Sequence, residues 1–211
     1  MPARVVCISR TLGAGGTDVG RLVSERLGFR YLDEEIVGRA AEKGQVDVDL
    51  VVDAEQRTSI ARRILDQVLW TAAATMTPQF APSTFSSEPY RKLIVEVIRE
   101  AAAAGDVVIV AHAASQALSG RPGVLRVLVT APEDVRAGRL AEAEGVDGRG
   151  GEKLVRESDA ARAAYFKEFY GLPEEVPTQY DLVVNTGLLT VAETAELVVA
   201  AAGFRLDAAG A

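Results

Sequence analysis

Four glycines, Gly13, Gly15, Gly16 and Gly20, fall within eight residues, directly after the apolar run "ARVVCIS" (3–9). Glycines at this density between a strand and a helix let backbone N–H groups turn toward phosphate oxygens. The usual phosphate-loop pattern is G-x-x-x-x-G-K-[ST]. With Gly15 on the second glycine, Arg10 falls on the first, Gly16 on the lysine and Thr17 on the hydroxyl residue. The hydroxyl that could reach a magnesium ion is present, and the lysine is absent. The same glycines also fit a relaxed G-x-G-x-x-G dinucleotide loop, with Asp33 placed where a ribose-binding acid would stand. A merely tight turn would need one or two glycines rather than four.

A second stretch carries charge at helical spacing. In "VRESDAARAAYFKEFYG" (155–171), Arg156, Asp159 and Arg162 recur at i, i+3 and i+6, which predicts one helix face. That face is either solvated and salt-bridged, or a lid that brings guanidinium groups to a transferring phosphoryl group. The only histidine, His112, follows a strand-like run, at the strand end where ligands bind in open α/β sheets. It reads equally as a hydrogen-bonded interior imidazole. Cys7, the single cysteine, reads as a small buried residue of the first strand rather than a nucleophile. One histidine and one cysteine argue against a His/Cys metal site, and no convincing Ser/His/Asp or Cys/His set stands out.

These groups need a scaffold. The chain has 211 residues, 48% of them hydrophobic, enough for one sizeable core with an insertion. Apolar β-branched runs alternate with helical patterns, which predicts a doubly wound, five-stranded parallel sheet. The strands are expected at 3–9, 29–32, 106–111, 123–131 and 180–186. Helices are expected at 17–27, 90–105, 132–145, 152–171 and 190–203. The stretch 34–105 is too long for one crossover and predicts a helical insertion, leaving a core of 1–33 and 106–211. Within the insertion, "ILDQVLW" with Trp70 reads as a buried face or, as the second option, a homodimer contact. The segment "EGVDGRGG" (144–151) reads as a hinge, and 136–171 as the lid.

Charge narrows the partners. A net charge of −7 argues against broad nucleic-acid binding, though not against a local pocket for a small anion. Arginine outnumbers lysine among the 23 basic residues, and its planar fork suits phosphate, although a compositional bias explains the excess equally well. No apolar stretch reaches membrane-spanning length, and the N-terminal residues lack a signal-peptide pattern, so a cytoplasmic protein is expected.

The stretches "ISRTLGAGGTDVGRLVSERLGFRYLDEEIV", "GDVVIVAHAASQAL" and "ESDAARAAYFKEFYG…YDLVVNTGLLT" together resemble the cytidylate kinase-like family, which has the nucleoside monophosphate kinase fold of the P-loop superfamily. Members commonly read S-R-x-x-G-S-G-G in the loop, so the missing lysine resembles a family trait. The resemblance implies that Ser9 through Asp18 wrap the donor phosphates, with Gly13, Ala14, Gly15, Gly16, Thr17 and Asp18 as the contacts. It implies that Asp33, Arg39 and His112 face the acceptor and that Arg136, Arg139, Arg156 and Arg162 lie in or near the lid, with Arg136 and Arg139 among the cofactor-binding residues. Arg10, Arg156, Arg162 and Asp159 are then the candidate catalytic groups, and Thr17 the magnesium ligand. Thr17 stands where the family usually has arginine, and Ala111–His112 where it commonly has Gly-Arg.

The function these features favour is transfer of the γ-phosphoryl group of ATP, with Mg²⁺, to a nucleoside monophosphate such as CMP. The first alternative is a nucleotide-binding regulatory module without transferase activity, which the missing lysine and His112 support. The second is a dinucleotide-dependent oxidoreductase.

Overall fold

The computed structural model describes residues 4–33, 88–111, 114–172 and 175–204. The first strand, β1 (Val5–Arg10), is apolar in sequence from Val5 to Ile8 and buried from Val5 to Ser9, as expected of a strand covered on both faces. It pairs in parallel with β3 (Val107–Val110) on one side and β4 (Val124–Thr130) on the other. The short β2 (Arg30–Leu32) lies outside β3, and β5 (Leu182–Asn185) outside β4. All pairings are parallel and the order is β2-β3-β1-β4-β5. The expected five-stranded α/β sheet is therefore the observed one.

The strand order also removes one alternative. In the dinucleotide-binding arrangement β2 lies beside β1, whereas here β3 separates them. The oxidoreductase reading rested on glycine spacing and Asp33 alone, neither of which reports strand order.

Alternation along the strands divides the core between two layers. Val6, Ile8, Val108, Val110, Val127 and Val129 face α1 (Gly16–Leu27) and α6 (Val191–Ala202) through Val19, Val23, Ala195 and Val198. On the other face, Val5, Cys7, Val107 and Ile109 meet α2 (Glu88–Ala104) through Ile94, Val97, Ile98 and Ala101, and the short α3 (Ala114–Ala117). The last part of the expected 34–105 insertion is thus a crossover helix on the sheet. The rest of that stretch, with Arg39 and Trp70, lies outside the described residues, as does His112.

Two further helices form a hairpin beyond β4: α4 (Glu133–Glu144) and α5 (Gly148–Tyr170). The sequence predicts a glycine-rich hinge up to residue 151, but α5 already starts at Gly148. Asp147 caps it, accepting a 2.8 Å hydrogen bond from the Gly150 N–H. A Cβ on Gly151 would collide with the Ala137 carbonyl oxygen, so this glycine lets the two helices close on each other. The Asp147 cap and the packing of Gly151 override the low helical propensity of glycine, and 148–151 is the first turn of α5, exposed at Gly148 and buried at Gly151.

Burial has a measurable consequence at Cys7, which is fully buried in β1. Burial pushes its thiol from 9.0 up to about 12, with nearby Arg126 opposing and Asp181 adding to the rise. Tyr31 is likewise pushed from 10.0 to about 12, by burial first and then by the charge and hydrogen bond of Asp33. In both cases the unfolded chain loses its proton at lower pH than the folded one. Stability from these groups is therefore complete below about pH 9 and falls as pH rises toward 12. Chemical denaturation at stepped pH should show this alkaline loss, and Cys7→Ala should make it shallower. A thiol reagent should label Cys7 only as the protein unfolds. Rapid labelling of the native protein at pH 8 would contradict the burial.

Candidate functional site

The strands are parallel, so their carboxyl ends share one edge of the sheet, and the glycine loop lies there between β1 and α1. Gly15 is the N-cap of α1, with φ 76°, a left-handed conformation that glycine adopts without strain. No side chain caps this helix start. The first-turn N–H groups have no intrahelical acceptors, so an anion can bind where a cap would stand. Gly16 begins the helix, Thr17 follows half-buried, and Asp18 is exposed in the first turn.

Gly13 has φ 80°, and a Cβ there would stand 2.9 Å from the Arg136 carbonyl oxygen. The loop is thus pressed against α4. Arg136 is buried and holds that arrangement: its Nε donates to the Ala131 carbonyl at 3.0 Å and its Nη1 to the Leu12 carbonyl at 3.4 Å. Its Nη1 and Nη2 form a fork on Asp159 at 2.9 and 2.7 Å. Arg136 and Asp159 therefore brace α4, α5 and the loop against one another. Ala14 is fully buried, and its carbonyl accepts from Thr186 Oγ1 at 2.9 Å. Arg139 bridges the same elements, donating to the Gly13 carbonyl at 3.3 Å, Thr186 Oγ1 at 3.1 Å and the Thr186 carbonyl at 2.7 Å.

The charged residues of α5 separate instead of sharing one face. Asp159 turns to Arg136, and Arg162 turns to the end of β1, donating from Nη1 to the Arg10 carbonyl at 3.1 Å. Arg156 is 60% exposed and pairs at 3.5 Å with Glu152, itself exposed. Six helical residues amount to about 600° at 3.6 residues per turn, so Arg156 and Arg162 differ in direction by about 120°. The spacing rule holds for neighbours three or four apart and degrades over six.

Arg162 is only 8% exposed, and its Nε and Nη2 each donate to Glu175 at 2.7 Å. The Tyr180 hydroxyl donates to the same carboxylate. Burial by itself lowers the pKa of Arg162, yet the hydrogen bonds and charge of Glu175, with Tyr180, leave it raised. Tyr180 is also raised, by burial first and then by Glu175. Beside this group, the buried hydroxyls of Ser9 and Ser115 meet at 3.3 Å.

Asp33 directly follows β2 at the same sheet edge and accepts from the Tyr31 hydroxyl at 2.9 Å. The Arg21 guanidinium lies 5.9 Å from the Tyr31 ring centroid. At the loop itself, Arg10 Nε donates to Thr17 Oγ1 at 2.7 Å. Sequence reasoning missed Thr186, Glu175 and Tyr180. Thr186 had a signal, since it directly follows the last strand at the ligand-binding edge. Glu175 had none, because a carboxylate in a proline-flanked loop does not announce a buried arginine.

Among the described residues no group of three His, Cys, Asp or Glu side chains could hold a metal ion, and no helix is long and apolar enough to cross a membrane.

Comparison with known proteins agrees with this fold. Residues 5–188 match the family model for the cytidylate kinase-like family. Over 111 residues the chain is 31% identical to a cytidylate kinase of Methanopyrus kandleri, a match covering 49% of this chain and 58% of that enzyme. A solved structure of an uncharacterized protein from Eubacterium ventriosum superposes with a TM-score of 0.66 at 16% identity, covering 95% of this chain and 99% of that one. Shikimate kinase from Acinetobacter baumannii, solved with shikimate, gives 0.51 at 14% identity over 93% of this chain and 91% of its own. A gluconokinase from Sinorhizobium meliloti gives 0.51 at 15% identity over 95% and 91%. At such identities these structures establish the shared fold, while the family match covers most of the sequence. The chain belongs to the cytidylate kinase-like family.

Proposed function

We propose that this protein transfers the γ-phosphoryl group of ATP to a nucleoside monophosphate, with CMP as the first acceptor to test. The observation that carries this reading is the uncapped start of α1 with the Arg10 guanidinium beside it, in a loop that other arginines hold in place. Arg10 lies across the loop, Arg139 bonds the Gly13 carbonyl, and Arg162 bonds the Arg10 carbonyl. Such a site supplies positioning and positive charge, which are the main requirements of phosphoryl transfer. The Methanopyrus kandleri relative supports cytidylate as the acceptor class.

Magnesium fits this arrangement as an ion that arrives on the nucleotide and keeps several waters, since it needs few protein ligands. Thr17 would supply a hydroxyl to it, and the ion would neutralise charge on the donor phosphates. Asp33, with Arg39 and His112, is assigned to the acceptor side. The braces at Arg136 and Arg139 would hold the loop in shape without engaging the nucleotide themselves.

A second reading, nucleotide binding without transfer, is favoured by one observation. Of the two lid arginines, Arg162 is already neutralised by Glu175 and Arg156 pairs with Glu152 on the exposed side. A coupled assay for nucleoside diphosphate formation from ATP and CMP separates the two readings. Melting shifts with ATP, CMP and NAD test binding, because a ligand of the folded state alone raises its melting temperature. A shift with NAD only would defeat both.

Gly15→Val should remove the ATP-induced shift. A β-branched residue at positive φ costs about 1–2 kcal/mol, and its Cβ would stand 3.3 Å from Val191 Cγ2, so the loop must shift and the N–H groups at the start of α1 lose their alignment. The far-UV spectrum should stay native. An undiminished ATP shift in Gly15→Val would place the nucleotide elsewhere.

A further inference from the structure

Arg10 and Gly16 are coupled in a way that neither residue shows alone. A Cβ built on Gly16 would stand 2.5 Å from Arg10 Cβ, 3.1 Å from Cδ and 3.4 Å from Cγ. The aliphatic stem of Arg10 thus fills the volume that a side chain at position 16 would need. Its Nε then donates to Thr17 Oγ1 at 2.7 Å, which places the guanidinium at the first turn of α1. Among the described residues no carboxylate pairs with it, in contrast to Arg136, Arg156 and Arg162.

In the common phosphate-loop pattern position 10 is glycine and position 16 is lysine. Here both positions are inverted, and the close approach explains why they must change together. A side chain at 16 leaves room only for glycine at 10, and a side chain at 10 leaves room only for glycine at 16.

We propose that Arg10 replaces the phosphate-loop lysine: the cation that holds the donor's terminal phosphates comes from the end of β1 instead of the start of α1. This rests on the phosphotransferase reading above and names the residue that carries the donor charge. The planar guanidinium can bind two phosphate oxygens at once, whereas an ammonium acts as a point charge. The Nε bond to Thr17 fixes the fork and leaves Nη1 and Nη2 for phosphate. One hydroxyl lone pair also remains for a metal ion that the nucleotide brings.

The test is equilibrium binding of ATP, inorganic tripolyphosphate and adenosine to the wild type, Arg10→Ala, Arg10→Lys, Gly16→Lys and the double variant Arg10→Gly/Gly16→Lys. The double variant reads G-T-L-G-A-G-K-T from position 10 to 17, the standard pattern. Arg10→Ala should weaken ATP and tripolyphosphate by roughly ten- to hundred-fold, the loss of a charge-assisted hydrogen bond. Its affinity for adenosine and its melting temperature without ligand should hold. Arg10→Lys should recover part of the loss. Gly16→Lys alone should bind poorly, since two side chains then compete for one volume. The double variant should recover tripolyphosphate binding to within a few-fold of wild type.

Wild-type affinity for tripolyphosphate in Arg10→Ala overturns this inference while leaving the phosphotransferase reading intact. A folded double variant that binds no better than Arg10→Ala also overturns it. If the double variant does not fold, Arg10→Ala and Arg10→Lys decide the matter. A wild type that binds neither ATP nor tripolyphosphate defeats the inference and the reading beneath it together.

Discussion

Glu175→Ala should lower the melting temperature by roughly 6–12 °C, the equivalent of about 3 kcal/mol in a chain of this length. The cause is the unpaired guanidinium that remains more than the hydrogen bonds that disappear. Arg162 is 8% exposed and Glu175 17%, so the guanidinium would stay buried without its counter-ion. The Tyr180 hydroxyl would be deprived of its acceptor in the same step. Glu175's partial exposure lets water relieve some of the penalty, which is why the lower end of the usual range applies. Replacing both partners, as Arg162→Met/Glu175→Leu, should recover much of the stability, because no isolated charge remains. The double variant should still lack the bond from Arg162 to the Arg10 carbonyl and should bind ATP less well. Thermal denaturation of the wild type and both variants checks this. A change under about 1 kcal/mol for Glu175→Ala would mean that the pair behaves like an exposed one.

Gly151→Val should cost about 3 kcal/mol or more and weaken ATP binding with it. Overpacking a core commonly costs about 1–3 kcal/mol, but here the obstacle is the Ala137 carbonyl, a backbone atom that cannot rotate away. The α4–α5 hairpin would have to open. That hairpin carries Arg136, Arg139, Asp159 and Arg162, each tied to the loop or to a residue that is. Gly148→Ala is the control. A Cβ there meets nothing within 4 Å, so alanine should be neutral or gain up to about 1 kcal/mol from helical propensity. Equal stability of Gly151→Val and wild type would show that the helices do not pack closely. Normal ATP binding in a destabilised Gly151→Val would separate the hairpin from the loop.

Much of the scaffold was legible in the sequence. β1 could be read from "VVCIS", because a strand buried on both faces is apolar without alternation. The strand–glycine loop–helix junction could be read from residues 3–27, because glycine density, a strand before it and helical spacing after it are all local properties. α6 could be read from the apolar helical stretch 190–203, and the structure starts it at a capping box of Thr190 with Glu193. The start of α5 could not, because three glycines within its first four residues argue for a loop until Ala137 is known to lie against Gly151.

The roles of the arginines divide along the same line. The sequence determined which arginines are present and that position 16 holds glycine where the usual pattern has lysine. Only the tertiary structure decided their partners. Arg162 finds Glu175 across a turn, Arg136 reaches back to Leu12, and Arg139 reaches forward to Thr186. A guanidinium's chemistry depends on whether a carboxylate, a carbonyl or open space lies within about 3 Å of it. Periodicity fixes a residue's direction on its own helix and carries no information about what the next element places there. The close approach of Arg10 to Gly16 belongs to the same class: both residues are plain in the sequence, and the folding of the loop back over β1 makes each the condition of the other.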